Sequence, residues 1–335
     1  MYIGQYSEGT TSKMRADQIK AILSVENFQI INTHIPFFRT LKIFRSLGFR
    51  YKLGPLVYNT NTFIQKQIKS KNYDLIWVDK GMILSRRTLM ILKDNSKKLI
   101  HFTPDMAFYE NKSNKFISNI NLFDYVITTK SKEIPFYEEL VDAEKIILTT
   151  QGFDKNIHKS YHEFRDKTKT VVFIGLAEDS RFKLVKFLLM NDIEVTVVGK
   201  GWGSFSEKYK DNTKFNFLGE SIFGEDYSKL ISSSMFSLGM LSKRFPELHT
   251  TRTFEIPACG TALLTERNQE TTAFYKEDEV VFYSSNEELL DKLSYYMNNL
   301  DELEKLTNKG KLKVMDNGFD YKSIIKNVLL KTIGH

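Results

Sequence analysis

Residues 250–264 read Thr-Thr-Arg-Thr-Phe-Glu-Ile-Pro-Ala-Cys-Gly-Thr-Ala-Leu-Leu. The stretch divides into a polar turn, a short helix, a break at Gly260 and an apolar strand, the punctuation of an α/β unit. Thr250 or Thr251 is placed to cap the helix and leave its first N–H groups facing outward, which makes an anion-binding end. Arg252 adds a planar cationic fork suited to phosphate oxygens. Glu255 lies one helical turn beyond Thr251 and Arg252, on the same face. A carboxylate there accepts the two hydrogen bonds that a ribose diol donates. Phosphate at one end and ribose at the other describe a nucleotide site; an ordinary surface helix with a salt bridge is the alternative. Pro257 is a mild objection to the helix, since proline fits only a first turn without bending it.

Outward from this stretch, short apolar runs alternate with amphipathic ones. In the first half the strand-like runs are Met1–Tyr6, Phe28–Asn32, Asp74–Val78, Lys98–Phe102, Tyr125–Thr128 and Ile146–Leu148. Helical patterns such as Ser12–Leu23, Thr62–Lys69 and Ser85–Leu92 fill the gaps. The polar segment 156–170 reads as a linker. Alternation then resumes with strands at Val171–Gly175, Glu194–Val198, Phe215–Leu218, Met235–Met240, Ala262–Thr265 and Glu279–Tyr283. Helices are expected at Arg181–Met190, Gly224–Ser232 and Thr251–Ala258, and from Asn286 almost to the end. Such alternation predicts parallel sheets covered by helices. At 335 residues the chain accommodates two domains of about 150 residues. The expected fold class is therefore α/β with two Rossmann-like domains, 1–155 and 171–317. The last segment, 318–335, either crosses back to the first domain or stays on its own.

The run Arg252–Gly260, with the later Glu287-Glu288-Leu289 and Tyr295-Tyr296, resembles the C-terminal half of CgeB-like (spore-maturation-type) glycosyltransferases. Those are similar to the wider set of glycosyltransferases with the two-domain GT-B fold, whose domains face across a cleft. The resemblance covers Val171 to the C-terminus. It implies a nucleotide-sugar donor in the second domain, with Glu255 on the ribose and Arg181 on the diphosphate. It also matches Gly199-Lys200-Gly201-Trp202, an Asp at position 105, and the Thr-Lys pair that ends in Lys130. In GT-B proteins a last helix, here Tyr321–Lys331, commonly returns to the first domain.

Other candidates come from position, because ligands of open α/β sheets sit beyond the carboxyl ends of strands. Lys243 follows the Met235–Met240 run and fits a second diphosphate contact, with His249 near the same phosphates. Gly199 permits close backbone approach, and Trp202 either packs or binds. In the first domain, Asp105 stands just past a strand, as a base able to take a proton from an acceptor hydroxyl in an inverting transfer, with His101 in reserve. A helix or turn cap is the alternative for Asp105. Gly9, Thr10, Asp79 and Lys130 also follow strands and are assigned to the acceptor side.

Composition narrows the field. Hydrophobic content of 41% with 27% charge is that of a globular chain. No run reaches the roughly 18 apolar residues of a membrane span, and the N-terminus lacks a signal-peptide pattern. One cysteine, Cys259, excludes an internal disulfide and a cysteine-cluster metal site, so a reducing cytoplasm is expected. No Asp-x-Asp, HExxH or comparable ligand spacing appears, and no metal or other cofactor is expected. A net charge of +7 suits anionic partners, but nothing resembles a nucleic-acid module. Residues 36–52 read first as a helix packed on the sheet with its polar face in water. Peripheral contact with the inner face of the cell membrane is the alternative, given the aromatics and the basic residues there.

Together with the resemblance, these features lead us to expect a metal-independent glycosyltransferase moving sugar from a nucleotide donor to a hydroxyl of a glycan, lipid-linked saccharide or other cell-surface acceptor. Inversion or retention stays open. A non-catalytic nucleotide-sugar or glycan-binding scaffold and a nucleotide-sugar epimerase are the alternatives.

Overall fold

The computed structural model describes every residue except 25, 70, 71, 110 and 335. The chain forms two compact units: Met1–Thr150 together with the segment from Tyr321 onward, and Gln151–Asp320.

In the first unit six parallel strands pair in the order β2-β1-β3-β4-β5-β6. They are β1 (Tyr2–Gly4), β2 (Ile30–Asn32), β3 (Tyr73–Asp79), β4 (Ser96–Thr103), β5 (Tyr125–Thr128) and β6 (Ile146–Leu148). The central strands are continuous apolar runs because helices cover both faces: Ile76, Trp77, Val78, Leu99 and Ile100 are fully buried. Parallel pairing forces a crossover between strands, and helices Thr11–Leu23, Pro55–Gln67 and Arg86–Asp94 supply three of them. Thr10 and Ser85 start two of these, their side-chain oxygens accepting from the N–H groups of Lys13 and Thr88.

Arg15 and Asp79 are each 1% exposed and form a two-bond pair, Nε to Oδ2 at 2.8 Å and a terminal nitrogen to Oδ1 at 3.0 Å. The final helix, Tyr321–Ile333, packs on Thr11–Leu23 in this unit and sets the Tyr321 ring 5.7 Å from the Arg15 guanidinium.

One expected element divides. Residues 36–52 belong to two helices, His34–Arg39 and Lys42–Tyr51, separated where the Thr40 hydroxyl and N–H turn back onto the Pro36 carbonyl.

In the second unit the order is β12-β11-β10-β7-β8-β9, again all parallel. The strands are β7 (Thr168–Ile174), β8 (Val195–Val198), β9 (Phe215–Phe217), β10 (Ser234–Leu238), β11 (Ala262–Glu266) and β12 (Val281–Tyr283). The chain builds outward from β7 to one edge, then returns to β10 and builds to the other. The β7/β10 boundary is therefore the switch point of this sheet, and β1/β3 is that of the first.

The expected linker at 156–170 is instead part of this unit. Phe153 is buried in a cluster with Phe254 and Ile256 just before it, and His158 is buried against Glu255. A polar composition concealed these anchors. Lys167 also turns inward, its ammonium donating to the Ser232 carbonyl at 2.6 Å.

Candidate functional site

At the β7/β10 switch point two guanidinium groups converge. Arg181 projects from the Asp179–Met190 helix after β7 and donates to the Leu176 carbonyl at 2.8 Å. It also reaches the Met240 carbonyl at 3.5 Å, and Arg252 donates to that same carbonyl at 3.2 Å. Both cations lie over the Phe173 ring, at 5.4 and 5.7 Å. Burial, and then the nearby Arg252, hold the Arg181 pKa below its ordinary value. Each arginine keeps a buried Nε without a partner, and so do the hydroxyls of Ser180 and Thr250. Glu178 lies 3.4 Å from a terminal nitrogen of Arg181 and offsets part of this charge, while the remaining positive charge and the unused donors are suited to an anion.

Glu255, in the Arg252–Ala258 helix, is buried. Its Oε2 accepts the Tyr227 hydroxyl at 2.6 Å and the Thr251 hydroxyl at 3.0 Å; Oε1 lies 3.5 Å from Nε2 of His158. Burial, then the adjacent carboxylate, push the Tyr227 phenol well above its usual pKa, so it remains a donor. Tyr227 is not among the sequence candidates, and His158 falls in the segment expected to be a linker. The Glu247 carboxylate accepts the Ser242 N–H at 3.1 Å, and its charge acts on Arg181.

The helix start differs from expectation. Neither Thr250 nor Thr251 caps with its side chain. The N–H groups of Thr253, Phe254 and Glu255 are taken by the Thr250 and Thr251 carbonyls, so the first turn does not present an open row of donors. Pro257 is accommodated from outside the helix: it cannot bond the Thr253 carbonyl, and the Tyr275 hydroxyl does so at 2.7 Å.

Other candidates have structural partners. Trp202 is fully buried among Phe173, Phe182 and Phe205 and donates its indole N–H to the Gly175 carbonyl at 3.0 Å, so it packs rather than binds. Gly199 serves backbone contact: a Cβ there would lie 1.9 Å from the Gly175 oxygen. The His249 Nε2 accepts from the Gln151 N–H at 3.0 Å while Nδ1 faces Glu270, which occupies both ring nitrogens and leaves none for a phosphate. Lys243 is exposed and paired with Glu266.

In the first unit a pocket opens at the β1/β3 switch point, with Thr33, His34, Asp79, Lys80, Thr103 and Asp105 among its polar lining. Asp105 is half-buried and pairs with the Lys80 ammonium at 2.7 Å. Burial alone would raise its pKa, but Lys80 and, more weakly, Lys130 and Arg15 outweigh this and hold it below the usual carboxylate range. Asp79 reaches the pocket with its carboxylate held by Arg15. Gly9 and Thr10 form the turn and cap of the following helix, and Lys130 is buried. His101 does not serve as a reserve base. It is fully buried beside Phe116 and Phe123, donates from Nε2 to the Lys80 carbonyl at 2.6 Å, and has its pKa lowered to about 4 by burial. Among the described residues no group of three or more His, Cys, Asp or Glu side chains is arranged to hold a metal ion.

Comparison with known proteins agrees with this architecture. Residues 181–329 match a family model described as glycosyl transferase-like. Among solved structures, the chain is similar to Anabaena HepE in complex with UDP and glucose, with a TM-score of 0.64 at 15% identity over 98% of both chains. It is also similar to a sucrose-phosphate synthase from Thermosynechococcus elongatus, with a TM-score of 0.65 at 12% identity over 98% of this chain and 97% of that one. A Burkholderia multivorans α,α-trehalose 6-phosphate synthase gives 0.62 at 9% identity, covering 91% and 84%. No curated protein matches. The fold is that of the GT-B glycosyltransferases, two Rossmann-like domains.

Proposed function

We propose that this chain is a glycosyltransferase that takes a sugar from a nucleoside-diphosphate donor held by its second unit and passes it to an acceptor hydroxyl. The observation that carries the reading is the convergence of Arg181 and Arg252 on one carbonyl at the switch point, next to the buried carboxylate of Glu255. In this reading the two arginines take the diphosphate and the free lone pairs of Glu255 take the ribose hydroxyls. Lys243 follows β10 on an exposed loop and reaches the leaving phosphate by exchanging its Glu266 partner. Cationic donors of this kind stabilise a departing diphosphate without a metal ion.

The transfer forms a bond from the acceptor oxygen to the anomeric carbon and breaks the bond from that carbon to the diphosphate oxygen. For an inverting course the acceptor proton goes to Asp105; its pairing with Lys80 keeps it ionised but also weakens it as a base, so the acceptor hydroxyl has to displace the Lys80 ammonium from it. The likeness in fold to HepE, whose structure holds UDP and glucose, favours uridine diphosphate as the first donor to try. The Arg252–Gly260 motif favours a CgeB-like subgroup, and acceptors of the glycan or lipid-linked saccharide class.

A thermal-shift screen with UDP, GDP, CMP, dTDP and their sugars, with and without EDTA, tests the reading. A ligand that binds only the folded state raises the melting temperature with its excess over Kd. One nucleotide should give a clear EDTA-insensitive shift, and Asp105→Asn should retain that shift while losing transfer. No shift with any nucleotide would reject the donor assignment and favour a non-catalytic scaffold.

A further inference from the structure

The helices at residues 34–51 leave a large apolar surface unused. Lys42–Tyr51 packs on Pro55–Gln67 through its glycine: Gly48 is buried, and a Cβ there would lie 2.7 Å from that of Leu56. With about 100° between successive residues, Phe44 and Tyr51 lie beside Gly48 at about 40° and 60° and Leu47 and Ile43 lie about 100° and 140° away on the same side, and all four are exposed. Phe38 and Leu41, in and just after the preceding helix, extend the patch at 63% and 68% exposure. The sequence pattern favoured burial of this stripe against the sheet; the close glycine contact takes the packing role instead.

Charge identifies what covers the patch. Residues 27–73 contain no Asp or Glu, whereas Arg39, Lys42, Arg45, Arg50 and Lys52 are interleaved with the apolar side chains. The Arg45 guanidinium lies 5.0 Å from the Phe37 ring and the Lys52 ammonium 5.7 Å from that of Phe49, cations carried on apolar flanks. A second copy docking by two-fold symmetry would bring the same cations face to face with no acid in the segment to offset them. A bilayer bearing anionic headgroups accepts both the apolar stripe and the charge.

We propose that residues 35–53 seat this unit on an anionic lipid bilayer. Phe37, Phe49 and Lys52 also line the pocket that contains Lys80 and Asp105, so the pocket wall is continuous with the bilayer-facing surface. Given the transferase reading, on which this consequence alone rests, the acceptor is lipid-linked and its hydroxyl reaches Asp105 from the membrane side.

Flotation of the full chain with vesicles of phosphatidylcholine alone, or containing phosphatidylglycerol, tests the contact. The chain should bind the anionic vesicles selectively and release as salt increases. Arg39→Gln with Lys42→Gln should weaken binding about 30-fold, from roughly fivefold for each basic residue near the surface. Phe38→Ser with Leu41→Ser and Ile43→Ser should abolish it. Both variants should retain the wild-type melting temperature, because these side chains are exposed. Absence of vesicle binding by the folded wild type would overturn the proposal. So would a wild-type dimer in sedimentation that becomes a monomer in the triple-serine variant. Vesicle binding by a chain that binds no nucleotide would support the contact while refuting the transferase reading.

Discussion

Glu255→Gln isolates the charge of the carboxylate from its structural role. Glu255 supports its neighbours through Oε2, which accepts from Tyr227 at 2.6 Å and Thr251 at 3.0 Å. A glutamine amide preserves the volume and one acceptor oxygen, so those two hydroxyls keep a partner, but the remaining face, 3.5 Å from His158 Nε2, becomes a neutral donor. The fold should lose about 1 kcal/mol, the difference between a charged and a neutral acceptor. For a unit of this size that lowers the melting temperature by roughly 2–4 °C. Ribose binding should lose more, since hydrogen bonds to a charged group contribute about 1.5–3 kcal/mol. The corresponding rise in Kd for UDP is about 10–150-fold. Calorimetric titration of wild type and variant with UDP reads this directly, and Tyr227→Phe, which leaves the carboxylate intact, should retain much more affinity. Equal UDP affinity in wild type and Glu255→Gln would refute the ribose assignment and leave Glu255 as a structural acceptor for Tyr227 and Thr251.

Other perturbations address the framework. Asp79→Asn leaves the Arg15 guanidinium buried without its counter-charge and should cost about 3–5 kcal/mol in urea unfolding of the first unit; near-wild-type stability would show that the pair is dispensable. His101 has a folded-state pKa of about 4 against 6.5 unfolded, so the unfolded chain binds the proton more tightly. Its contribution is complete above pH 6.5 and is lost as pH falls towards 4, about 2 kcal/mol of it by pH 5. Urea midpoints across that range should fall in the wild type and flatten in His101→Phe; parallel slopes would contradict the assignment. Gly199→Ala brings a methyl group to 1.9 Å from the Gly175 oxygen, and the protein should be strongly destabilised in thermal melts, whatever ligand is added.

The sheets were legible because buried parallel strands are short apolar runs with turns between them, as Tyr125–Thr128 and Ile146–Leu148 show to the residue. Strand-end position singled out Asp105, which lines a pocket of the first unit. The same rule misdirected at Trp202 and His101, which follow or occupy strands but turn into the core, an orientation that spacing does not encode. Composition misled at 156–170, where a few anchors such as Lys167 make a polar segment part of a domain, and at Lys42–Tyr51, where an amphipathic period does not tell which arc packs. Tyr227 and His158 reach Glu255 from distant sequence positions, so only the folded chain brings them together.

The Tyr321–Ile333 helix places a constraint on biosynthesis. Its Ile325, Val328 and Leu329 are buried in the first unit, yet the whole second unit lies between them and the rest of that unit in the chain. On the ribosome, the unit begun first is therefore completed last. Until residue 329 has emerged, the first helix keeps an uncovered apolar face, while the second unit can already close on its own residues. A chain cut after Asp320 would retain the whole second unit and leave the first one unfinished, so C-terminal shortening should damage the domain that contains the N-terminus.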